Sequence, residues 1–316
     1  MTAGSPRAAS DAEVAGGPAG TPVLSVAIAT TEGWPYMRTV LESFRADAER
    51  LGVEVVVADG SGHPEPPADA LPTGTIWMRS DSNDVFRLLA AAMRRCSAPI
   101  VATTEDHCTV RPGWCEAIVR AHEEHPGAAA IGGTIENGSS ETLLDWGSYF
   151  ITQGPHMRPL GQREVSFVTN EACLSQKRWA VDLLDDGGGQ GVAMIFHTRA
   201  LHDLGHVLRV DDRFSVDHFQ SIGFRQTTTI HFHNGRTIAG FRRRRMTRAD
   251  WLRVALAGLL PAYRISRILR ICLPKRTHTR ELLTSLPWAF WCEYTAGLGH
   301  LVGYATGPGD SPRHLR

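Results

Sequence analysis

Pro99-Ile100-Val101-Ala102-Thr103-Thr104-Glu105-Asp106-His107-Cys108-Thr109-Val110-Arg111-Pro112-Gly113-Trp114 decides the fold. Its first part is a short apolar run that reads as a buried strand, and Pro112-Gly113 is a turn that opens a helical pattern. Glu105, Asp106 and His107 therefore stand at the carboxyl end of a strand, where open α/β sheets bind their ligands. Alternation puts Glu105 and His107 on one face, so an oxygen and a nitrogen can converge on one divalent ion. The competing reading is an acidic turn with a capping carboxylate.

Outward from this stretch the pattern repeats. Val23–Thr30, Val53–Ala58 and Thr75–Met78 are further apolar, β-rich runs, and helical spacing covers Tyr36 to Arg50 and Val85–Cys96. Short apolar strands that alternate with helices mean βαβ units and a mostly parallel, Rossmann-like sheet. A dinucleotide-binding domain expects a Gly-rich turn after the first strand. Here the turn is Thr30-Thr31-Glu32-Gly33-Trp34, whose single glycine and carboxylate suit a sugar or a base better than a pyrophosphate. Asp59 closes the second strand at the same edge, so three strand ends offer polar groups to one crevice; its other reading is a turn residue in Asp-Gly-Ser-Gly.

The chain has 316 residues, 42% of them hydrophobic, which suffices for one large α/β domain and an appendage. Lys and Arg balance Asp and Glu at 33 each, so net charge gives no argument for nucleic acid. The balance is uneven along the chain: residues 236–280 are rich in Arg and hold only Asp250 as acid. Six cysteines show neither a Cys-x-x-Cys pair nor a disulfide framework, which suits a reducing cytoplasm. Residues 1–21 lack an apolar core and read as a disordered tail, not a signal peptide.

In order and spacing, Val26–Thr30 with Glu32, Val55–Ser61 with Asp59, and Glu105-Asp106-His107 with Pro112-Gly113-Trp114 resemble a family 2 glycosyltransferase of the GT-A fold. The resemblance implies a GT-A domain over 22–245, with a nucleotide-binding half (22–135) and an acceptor half (136–245), followed by a C-terminal helical region (246–316). It implies that Thr30, Glu32 and Asp59 bind the nucleoside of a nucleotide-diphosphate sugar. Glu105 and His107 stand where the family carries the two carboxylates of its Asp-x-Asp motif, with Asp106 between them as a further substrate contact. A mixed nitrogen and oxygen set favours Mn²⁺ over Mg²⁺. Arg213–His218 matches a strand ending in His, which makes His218 a third ligand. Phe167–Ala172 matches a donor-sugar segment through Asn170.

Inverting transfer needs a base for the acceptor hydroxyl. The family supplies a carboxylate a short way before the Gly that closes a helix, and here that place, counted back from Gly205, holds Ala193 and Met194. The nearest acids, Asp185 and Asp186, precede a Gly-rich stretch; His197 is another candidate, and a catalytically silent domain that binds a nucleotide or nucleotide-sugar as a scaffold or regulator is the alternative. Asp145–Phe150 supplies aromatics for an acceptor site or for the core. His231 and His233 read as neighbours on one face of a strand, with zinc as a remote option. Past Arg242–Arg245, the runs Trp251–Tyr263, Ile265–Leu273 and Leu282–Tyr304 are helical and apolar but broken by proline and arginine. None reaches the roughly eighteen uninterrupted apolar residues of a spanning helix. Such helices suit an anionic membrane surface, or else an appendage packed on the GT-A core or on a second subunit as in a homodimer. The expected location is the cytoplasm, with a peripheral position at the inner face of the plasma membrane under the first option. The acceptor class stays open between a glycan, a lipid-linked molecule and a small molecule.

Overall fold

A computed structural model describes residues 21–315 except 169–170, 186–190, 192, 244–245, 248–250, 253 and 255–258. The expected N-terminal tail, Asn170, Asp186, and Arg244 and Arg245 lie outside the described residues.

Strands β1 (Ser25–Thr30), β2 (Glu54–Asp59), β3 (Thr75–Arg79) and β4 (Ile100–Glu105) alternate with helices α1 (Arg38–Leu51) and α2 (Val85–Arg95). They pair in parallel in the order β3-β2-β1-β4. Period-two alternation explains why both faces are covered. Val26, Ile28, Val55, Val57 and Ala102 pack toward α1 and α3 (Trp114–Glu124), whereas Ala27, Ala29, Val56, Ala58 and Val101 pack toward α2. Asp84 caps α2 by accepting from the Phe86 and Arg87 N–H groups, so this helix starts where its apolar stripe starts.

The second half completes a nine-stranded sheet with β5 (Cys108–Val110), β6 (Ala128–Asn137), β7 (Arg163–Val165), β8 (Leu174–Lys177) and β9 (Val207–His218). β8 is antiparallel between β4 and β6, and β5 and β7 both lie antiparallel on β9. The other six strands share one direction, so the sheet is mostly parallel, as expected. The β6–β9 pairing changes register between Gly132 and Thr134 while β9 advances from Val210 to Ser215, which bends the sheet. Two short helices, α5 (Arg178–Asp182) and α6 (Met194–Asp203), join β8 to β9.

Around this core lie α4 (Leu143–Thr152), α7 (Phe224–Arg243), α8 (Leu260–Cys272), α9 (Thr279–Thr284) and α10 (Leu286–Thr306). The segment expected as a strand at 230–236 is the middle of α7. Two histidines at alternate positions were too short a window against the helical spacing of Thr227, Ile230, His231 and Gly235, all of which are buried. His231 and His233 consequently face different partners, Ser148 at 3.0 Å and Ser311 at 2.9 Å, and form no zinc pair. Trp146, Tyr149 and Phe150 are core residues, packed with Ile268, Cys272 and Leu282 of the C-terminal helices. Pro261 and Pro287 open helices instead of breaking them. No helix of the described residues is long and apolar enough to cross a membrane.

Helices α7 and α10 approach through glycines. A Cβ at Gly299 would stand 2.0 Å from the Phe232 carbonyl oxygen, and one at Gly235 would stand 2.1 Å from that of Ala296. Backbone cannot yield as a side chain can, so Gly299→Val should cost ~3 kcal/mol in denaturant unfolding. Gly297 is buried, but among the described residues a Cβ there would meet only Pro261 Cγ, at an ordinary contact distance of 3.8 Å. Gly297→Ala should therefore be neutral or stabilising by up to ~1 kcal/mol; equal losses for both variants would disprove the close approach.

Candidate functional site

Two strand ends and a turn meet at one cavity of about 400 Å³. Glu105 ends β4, His218 ends β9, and His107 lies in the turn between β4 and β5. Cys108 is the register partner of His218, and the Phe219 N–H donates to the His107 carbonyl at 3.0 Å. This short antiparallel pairing holds the two imidazoles together.

The three side chains converge tightly. Glu105 Oε2 is 3.2 Å from Nε2 of His107 and 3.2 Å from Nε2 of His218, and the two Nε2 atoms are 3.0 Å apart. One ligand atom from each residue falls within 4.8 Å of the others. Two imidazole nitrogens at that separation repel unless a proton or a cation lies between them. The donor set fits a divalent cation that accepts nitrogen and oxygen.

The remaining contacts orient this triad. His107 Nδ1 lies 2.9 Å from Asp106 Oδ1, and the Thr30 hydroxyl donates to Asp106 Oδ2 at 2.8 Å. Thr30 Oγ1 also accepts from the Glu32 and Gly33 N–H groups. A carboxylate that takes the Nδ1 proton leaves the Nε2 lone pair for a metal. Asp106 and Thr30 thus act through His107.

Electrostatics agree with that division. Burial would raise the Glu105 carboxyl, but the two imidazoles outweigh it and hold the group well below the usual carboxylate range. For His107 burial works against the charge, and Asp106 and Glu105 outweigh it, so the imidazolium persists to about 10. His218 moves the other way, lowered by burial in spite of Glu105. Without a cation the proton therefore belongs to His107.

The other expected site residues are placed less directly. Asp59 is fully buried and accepts from the Ser61 N–H at 2.8 Å, from Trp77 Nε1 at 3.1 Å and from Arg79 at 2.7 Å. Its carboxylate is not part of the cavity wall. Glu32 is exposed on the cavity lip beside Tyr36. Asp185 is exposed and stands outside the wall. His197 is buried, bonded to Gln176 at 2.8 Å and lowered by burial to about 4, which fits a packed core histidine.

Two features escaped the sequence. Glu171 lines the same cavity, raised to about 7 by burial and by the charge of Glu105. The rest of the lining includes the apolar side chains of Phe86, Leu89, Ile151, Ile195, Ile230 and Ile238. Neither has a local signature, because the wall is assembled from α2, α4, α6 and α7.

A model of the family described as Glycosyl transferase family 2 matches residues 25–205. No curated protein matches the chain. Similar solved structures include S. aureus TarS 1-349 in complex with UDP-GlcNAc, at 12% identity and TM-score 0.43, covering 63% of this chain and 59% of that one. Another is GalNAc-T7 with UDP, GalNAc and Mn²⁺, at 13% identity and TM-score 0.45, covering 65% of this chain and 45% of that one. The chain thus spans less than two thirds of either.

Thr30→Val keeps the shape and removes the hydroxyl that steers Asp106, so any divalent-cation affinity of the Glu105–His107–His218 cluster, by calorimetry, should fall about tenfold. Unchanged affinity would take Thr30 out of the relay. Glu171 carries a folded-state value near 7 against an ordinary 4.5, so the folded protein holds its proton more tightly. Stability is then lost as pH rises from about 4.5 through 7. Glu171→Gln should be more stable than wild type at pH 8, by ~1–3 kcal/mol, and equal to it near pH 4.5. Thermal melts at the two pH values, without added metal, check the sign.

Proposed function

The chain belongs to glycosyl transferase family 2, and from that premise we propose that it transfers a sugar from a nucleotide-diphosphate sugar to an acceptor with inversion, assisted by a divalent cation. The observation that carries the metal dependence is the convergence of Glu105, His107 and His218 at the cavity. Mn²⁺ suits two imidazoles and one carboxylate better than Mg²⁺, which prefers oxygen alone. When bound, the cation supplies charge to offset that of the departing diphosphate.

The chain's own residues do the rest. Asp106 and Thr30 fix the His107 ring, and Glu32 on the lip is the candidate for nucleoside contact, with Asn170 for the donor sugar. Thr30 and Asp59 serve the nucleoside end by holding the β1 and β2 turns. A Cβ at Gly33 would meet Ser61 Oγ at 2.2 Å, and its φ of +65° lies in the left-handed region, so only glycine lets these two turns touch. The apolar wall excludes water beside the reacting centre.

A second reading, a silent binder of nucleotide-sugars, is favoured by the absence of a carboxylate at Ala193 and Met194. A peripheral place at a membrane surface is supported by exposed Trp288, Trp291 and Tyr294 on α10 and exposed Arg267 and Arg270 on α8.

Calorimetric titration with UDP, then GDP and dTDP, with and without Mn²⁺, tests the donor site. UDP should bind at least tenfold more tightly with Mn²⁺, and His107→Ala should lose about 10–100-fold of that metal-dependent affinity. Failure of all three nucleotides to bind would end both readings.

A further inference from the structure

Sugar transfer leaves one role without a residue, the group that takes the acceptor's proton. Four carboxylates line the described cavity wall: Glu32, Glu105, Asp106 and Glu171. Glu105 is engaged by two imidazoles, and Asp106 by Thr30 and His107. Glu32 is exposed on the lip.

Glu171 differs from these three. It opens the 3₁₀ turn Glu171–Cys173, and the Thr103 hydroxyl donates to its carbonyl at 2.5 Å, which pins the turn to β4, the strand that carries Glu105. Its side chain is partly buried, and no cation is paired with it among the described residues. The Met194 N–H, at the start of α6, reaches Oε1 at a long 3.4 Å. A carboxylate held this loosely keeps lone pairs for an incoming hydroxyl. The N-terminus of α6 also favours a negative charge there. Phe86 and Ile195 line the same cavity, and Ile195 follows Met194 in the chain, so apolar surface borders this part of the site.

We infer that the Glu171 carboxylate is the general base of the transfer at the Glu105–His107–His218 site; this rests on the function proposed above. The acceptor's O–H proton passes to a Glu171 oxygen as the acceptor oxygen bonds to the anomeric carbon. The bond from that carbon to the diphosphate oxygen breaks, and its electron pair leaves with the nucleoside diphosphate. Glu171 then returns the proton to solvent. A value near 7 leaves the group ready to gain and lose a proton at neutral pH.

The test uses the full chain with Mn²⁺ and four donors, UDP-GlcNAc, UDP-GalNAc, UDP-glucose and UDP-galactose, with water as acceptor and nucleoside diphosphate release as the readout from pH 5.5 to 8.5. Binding of UDP, GDP and dTDP is scored first by calorimetry, with the donor sugars carried on whichever nucleotide binds, and the absence of all three in wild type sinks the transferase reading itself. With binding in place, Glu171→Gln should keep the nucleotide affinity and lose about 10²–10⁴-fold in kcat. The wild-type rise in kcat centred near pH 7 should vanish in this variant, and Glu171→Asp should restore part of the rate. Three results would overturn the proposal: Glu171→Gln turnover within threefold of wild type, loss of turnover in Asp185→Asn instead, or a wild type that binds a nucleotide with Mn²⁺ yet hydrolyses none of the four donors carried on it.

Discussion

The site depends on one short antiparallel pairing. β5 lies on the end of β9 with Cys108 opposite His218, and this register brings a turn that follows β4 against a strand from the far side of the sheet. Flat strands could not do this, because β8 and β6 stand between β4 and β9. The bend at Gly132 and Gly133 makes it geometrically accessible. A Cβ on Gly132 would strike Val168 Cγ1 at 2.4 Å, and one on Gly133 would strike Cys173 Sγ and the Phe214 ring at 2.5 Å. β9 meanwhile spends the residues after Val210 on a bulge in which Arg213 pairs with Asp211 at 2.6 Å. Sheet curvature thus precedes ligand geometry.

Within the cavity two carboxylates are driven apart by their neighbours. Both Glu105 and Glu171 lose solvation, which on its own raises a carboxyl. At Glu105 two imidazoles outweigh that loss and the group stays ionised. At Glu171 no cation among the described residues opposes it, and the charge of Glu105 adds to it. Carboxyls in one cavity whose environments push them in opposite directions are suited to different tasks, which is the division the proposed metal site and general base would use.

Much of this was legible where the signal was local. Runs such as Val55–Ala58 declare a strand covered on both faces, and Glu105, His107 and His218 could be read because each sits at or just beyond a strand end. Asp59 also ends a strand, but Trp77 and Arg79 from β3 reach across to occupy its carboxylate, and nothing near residue 59 announces those donors. Glu171 is the converse case: its sequence surroundings are plain, and its character comes from β4 and α6. The α7 histidines misled because alternation over a few residues cannot compete with helical spacing sustained over 20 residues.

The C-terminal helices bear on the same chemistry. α7 contributes Ile230, His231, Asn234 and Ile238 to the cavity wall, and His231 is tied to Ser148 of α4. Its position is set by α10, since Gly235 and Gly299 let the two backbones touch, and Arg242 near the end of α7 donates to the Tyr304 hydroxyl at 3.0 Å. α8 and α9 in turn pack on α4 through Ile268, Cys272 and Leu282. A shift of α10 by the width of one methyl group would move α7, and with it the apolar residues that line the same cavity as Glu171. Helices that read in the sequence as an addition to the sheet therefore help to shape the cavity that holds Glu105 and Glu171.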